Sequence, residues 1–73
     1  MVKINVSFLL IFDIPRKNIG LKKKVNRMLH RSRAEFVQQS VWRSENLETL
    51  RKIANKIKSE GARASIIREE IVF

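Results

Sequence analysis

The chain has 73 residues, no cysteine, and a formal charge of +9 from sixteen Lys and Arg against seven Asp and Glu. That length makes one domain near the lower limit for a self-sufficient core, and the missing cysteines exclude disulfides and thiolate-held metals. The charge favours a polyanionic partner, nucleic acid before a membrane surface. No apolar run approaches the ~20 residues of a bilayer span. A hydrophobic content of 44% supports a folded chain, and a domain this small without staples gains burial by oligomerising, so a homodimer is expected. The short N-terminal apolar run lacks a small-residue cleavage site, which points to a cytoplasmic protein.

The first segment, "KINVSFLLIF", alternates Ile4, Val6 and Phe8 with Lys3, Asn5 and Ser7, then becomes apolar on both sides from Leu9 to Phe12. This pattern predicts an interior strand with Phe8, Leu10 and Phe12 on one face and Leu9 and Ile11 on the other. Pro15 stops it, since proline removes a ladder hydrogen bond. Asp13, the chain's only aspartate, stands at that stop. It is either a turn residue bonding the chain before Pro15 or a carboxylate placed to hold a metal.

In "NIGLKKKVNRMLHRS", Leu21, Val25, Met28 and Leu29 fall on one helical face, which predicts a helix over 19–31 with Asn18 as its N-cap. Its other faces are cationic. Arg16, Lys17, Lys22, Lys23, Lys24, Arg27, Arg31 and Arg33 form a basic set beginning beside Asp13, suited to phosphates without base reading. The plainer reading of such a run is a solvated helix face. His30 has no partner in sequence and suits a helix C-terminus.

"RAEFVQQSVWRS" favours strand through Phe36, Val37, Val41 and Trp42. Its apolar pairs break simple alternation, predicting a bulge or a kinked pair of short strands near Gln38 to Ser40. Ser40 reads as part of that kink rather than a phosphate contact. Trp42 reads as core or interface rather than a stacking platform. "SENLETLRKIANKIKSEG" carries a buried stripe of Leu47, Leu50, Ile53, Ala54 and Ile57, with Ser44 as expected N-cap and Gly61 as C-terminal cap. "ARASIIREEIVF" reads as a last strand with Arg68-Glu69-Glu70 between two apolar patches. Two helices alternating with strands imply an α+β domain, residues 1–73, with an antiparallel sheet and both helices on one face. A ferredoxin-like βαββαβ order with the first strand central accounts for the two-sided apolar run. A second copy packing through the sheet would cover the remaining face. No nucleotide-binding loop, Cys/His cluster or catalytic triad is present, so organic cofactors are not expected.

Taken in order, the segments "FDIP" (Phe12 to Pro15), "LKKKVNRML" and "VQQSVW" (Val37 to Trp42) resemble the CRISPR-associated Cas-two family, the smaller of two CRISPR adaptation proteins. The resemblance implies a ferredoxin-like homodimer whose first-strand aspartates face each other across a two-fold axis. Asp13 would then be the catalytic and metal-ligating residue, with Mg2+ or another divalent cation as cofactor. The implied function is nucleic-acid binding and endonuclease cleavage of RNA or double-stranded DNA in spacer acquisition, a step of antiviral defence. Other members mainly scaffold a partner integrase, and a VapD-like toxin ribonuclease family shares the fold. This chain departs from the family at Arg43, where many members carry an acid, and at Ser32-Arg33, where a glycine is common. It also departs in its short tail, where only "EIVF" could pair with a partner subunit.

Overall fold

Alternation gives way to a proline stop where the sequence places it. In the computed structural model, which describes residues 2–72, the first strand (β1) runs Ile4–Asp13. The first helix (α1) spans Ile19–Arg31, and Asn18 caps it by accepting the Leu21 N–H at 3.1 Å. Two short strands follow, Glu35–Gln38 (β2) and Val41–Ser44 (β3), then a helix over Leu47–Ser59 (α2) and a strand over Arg63–Val72 (β4). The sheet is antiparallel in the order β2-β3-β1-β4. This α+β arrangement is compatible with a ferredoxin-like fold, and β1 is interior to the sheet.

Register decides which face each residue takes, because side chains alternate along a strand. Leu10 lies opposite both Trp42 of β3 and Ile66 of β4, so the three share a face. Leu21, Val25 and Leu29 of α1 join Leu50, Ile53, Ala54 and Ile57 of α2 over Leu10 and Trp42 in one core. Each apolar stripe read from the sequence thus faces inward, with Met28 and Leu47 half-buried at its margins. Truncating a fully buried leucine such as Leu10 in so small a core would cost about 2–5 kcal/mol.

The opposite face of the sheet carries Leu9 and Ile11, half-buried, and Ile67 and Ile71, exposed. β3 pairs with β1 only over Phe8–Ile11, so residues 4–7 of β1 and their partners in β4 continue as a two-stranded ribbon. The molecule is accordingly elongated, 49 × 20 × 19 Å. No described helix is long and apolar enough to cross a membrane.

The helix ends refine the sequence reading. Ser44 belongs to β3, and its hydroxyl accepts the Asn46 N–H at 3.0 Å. Asn46 is the N-cap of α2, accepting the Thr49 N–H at 3.1 Å. An extended Ser44 cannot reach the third amide of a helix beginning three residues later, so the cap passes to the next suitable side chain. Gly61 ends α2 with φ +83, and the amides of Gly61 and Ala62 close back onto Lys58 and Ile57. The end of α1 copies this closure: Arg33 and Ala34 bond back to His30 and Leu29, but Arg33 occupies the left-handed position with φ 60. The charges at Arg68-Glu69-Glu70 leave β4 continuous, because they pair along β1 from Phe8 to Val6.

Candidate nucleic-acid interface

β1 delivers Asp13 to the C-terminal edge of the sheet, and Ile14, buried, anchors the chain just beyond it. The β2–β3 turn closes over the same edge: the Ser40 carbonyl accepts the Phe12 N–H at 3.1 Å, with Ser40 itself at φ 67. The predicted kink is therefore a tight turn joining two short strands, with a register shift between Phe36 and Gln38. It leaves an open cleft of about 470 Å³ between the turn and the start of α1.

Asp13, Arg16, Lys22 and Lys23 all line this cleft. The turn of chain between β1 and α1 brings Arg16 round, and the first turns of α1 present the two lysines. All four side chains belong to exposed residues. A phosphate entering here would meet three cations and one carboxylate, with Asp13 standing at the boundary between the cleft and a shallow depression formed with Arg63 and Ser65. By alternation Asp13 falls on the same side of β1 as Leu9 and Ile11, the sheet face that the helices leave open.

The rest of the basic set is divided. Lys17, Lys24 and Arg27 are exposed outside the cleft. Arg31 lies in a groove between the helices with Met28 and Lys52. Arg33 lies in another groove with Asn5, Glu35 and Arg43. Helical spacing in α1 alone therefore overstated the continuity of the strip. It also overlooked α2, whose Arg51, Lys52 and Lys58 are exposed and extend the positive charge across the helical layer.

Three further residues of the cleft escaped the sequence reading: Asn26, Gln39 and Phe36. Phe36 is 61% exposed although its ring sits 5.4 Å from that of Trp42, edge to face at 82°. Trp42 is buried and also meets His30 in the same edge-to-face geometry at 5.3 Å. The broken alternation of residues 36–42 was the available signal that one aromatic there faces outward.

Arg43 sits apart from Asp13. It lies opposite Leu9, four residues from Asp13 and so about 13 Å along the strand. Its guanidinium bonds Glu69 at 2.9 Å and meets Glu35 at 3.3 Å, while the Ser7 hydroxyl donates to the same Glu69 oxygen at 3.0 Å. Hydrogen bonds from Arg43 and then Ser7 hold the Glu69 carboxyl below its ordinary range, and Glu69 and Glu35 raise Arg43 in turn.

A divalent cation takes several oxygen ligands. Among the described residues no three His, Cys, Asp or Glu side chains gather to hold one, so a single chain brings Asp13 as a partial donor set. In comparisons with known proteins, no family model and no curated protein matches the chain.

Proposed function

We propose that the chain is a nucleic-acid-binding homodimer of the Cas-two type with a ferredoxin-like fold. In this reading it cleaves phosphodiester bonds of RNA or double-stranded DNA in the cytoplasm during CRISPR spacer acquisition, beside a partner integrase. The observation that carries the reading is the convergence of the only aspartate with Arg16, Lys22 and Lys23 in one cleft of a strongly basic domain. Arg16, Lys22 and Lys23 bind and orient backbone phosphates there, and the outlying cations steer the polyanion toward them. Lys17, Lys24, Arg27, Arg31 and Arg33 belong to that outer field.

The open sheet face supports the dimer. Leu9, Ile11, Ile67 and Ile71 offer an apolar surface that a second copy would remove from water, and Asp13 lies on the same side of β1. Two copies of Asp13 would together supply the oxygens that one chain lacks for magnesium or another divalent cation. Such an ion, when bound, activates water and offsets charge on the reacting phosphate.

Asp13→Asn tests this directly when magnesium-dependent cleavage and nucleic-acid affinity are measured side by side. The expected result is a loss of cleavage of at least about a hundredfold with affinity kept within a few-fold. Equal cleavage by both proteins would refute the role of Asp13. A wild type that binds but never cleaves would favour the second reading, a dimeric scaffold for duplex nucleic acid. That reading draws its support from the cations that outnumber the carboxylate in the cleft.

A further inference from the structure

Resting on the reading that this chain binds nucleic acid, we propose that the cleft beside Asp13 seats one unpaired nucleotide of a single strand. The base lies on Phe36 and the adjoining phosphate on Lys22, Lys23 and Arg16. The cleft joins two chemistries that an unpaired nucleotide also joins, a flat π surface and an anion. Phe36 supplies the first: it stands on the short edge strand β2 with most of its surface in solvent, and its edge-to-face contact with buried Trp42 fixes the ring plane. The three cations, which line the same cleft, supply the second.

A lone exposed phenylalanine is ordinary on a protein surface. This one shares its cleft with three cations and with Asn26 and Gln39, whose amides can both donate to and accept from a base edge. The volume, about 470 Å³, is within the range of small-ligand sites. Asp13 repels phosphate from its own side and so directs the anion toward the start of α1. A paired base shows neither face to a side chain, because its neighbours in the stack cover both. Stacking on Phe36 therefore selects an unpaired base, in a sequence-tolerant manner.

Trp42, the only tryptophan, lines the same cleft, so its fluorescence reports occupancy. The intact protein is titrated with a short oligothymidylate, with an abasic strand of equal length and charge, and with a blunt duplex. The oligothymidylate is expected to bind about tenfold more tightly than the abasic strand. Phe36→Ala removes that difference, Phe36→Tyr keeps it, and Lys22→Ala with Lys23→Ala weakens both strands alike. An unchanged unfolding midpoint for Phe36→Ala confirms that folding is intact. Equal binding of the two strands by wild type, or discrimination surviving Phe36→Ala, overturns the proposal. If the duplex still binds in that case, the broader nucleic-acid reading stands. Binding of none of the three overturns both.

Discussion

Arg33 shows how a single residue can carry a cost that its neighbours conceal. It closes α1 in the left-handed position that Gly61 fills for α2, and its φ of 60 brings the β-carbon against the backbone. Relieving that contact outweighs the extra freedom glycine has in the unfolded chain. Arg33→Gly should therefore stabilise the domain by about 1 kcal/mol, read as a higher urea midpoint at unchanged slope. The sequence itself shows Ser32 and Arg33 after α1, with no glycine before β2 to mark a left-handed turn. It could not say that Arg33 would adopt the glycine conformation rather than reshape the turn. Asp13 is the opposite case: its place at the strand end was plain from Pro15, but a one-dimensional reading could not choose between turn and ligand. That choice depends on which cations the turn after β1 and the start of α1 bring beside it.

At the scale of elements, periodicity was a good guide wherever one face was buried. Both helices follow their apolar stripes, with α1 spanning Ile19–Arg31 as read. The cap of α2 was less legible, because Ser44 and Asn46 are both good cap residues and only the end of β3 decides between them. The contacts that tie three strands together on the open face were not legible at all. Glu69 of β4 accepts from Arg43 of β3 and Ser7 of β1, and those residues are far apart in the chain.

This cluster has a consequence for pH. Glu69 is depressed below its ordinary 4.5, with Arg43 as the first cause, so the unfolded chain holds its proton to higher pH than the folded one. The contribution is complete above the unfolded value and is lost as pH falls through the folded one. Wild type should lose stability to urea between about pH 5 and pH 3 more steeply than Glu69→Gln, which has no carboxylate to protonate there. Parallel acid limbs for the two proteins would show that the cluster adds nothing.

For the molecule as a whole, composition speaks first. A charge of +9 on so small a domain favours a polyanionic partner before any element is placed. The two-sided apolar run of β1 anticipated an interior strand and a sheet face left open by the helices. What the sequence blurred was the shape of the charge. Eight cations read as one strip separate into a cleft group, the outlying Lys17, Lys24 and Arg27, Arg31 between the helices and Arg33 in another groove, because the strip crosses from loop to helix to turn. Phe36 entered the site only through folding, when the β2–β3 turn laid it opposite α1.

In the proposed function, Lys22 and Lys23 hold phosphates in the cleft beside Asp13. Affinity for a fixed nucleic acid, measured across a salt series for wild type and for Lys22→Ala with Lys23→Ala, tests it most directly. Each lost phosphate contact should reduce the slope of log affinity against log salt by about 0.7 to 0.9. The double variant should therefore bind more weakly at every salt concentration, with a slope shallower by about 1.4 to 1.8. Unchanged affinity and slope would contradict the account.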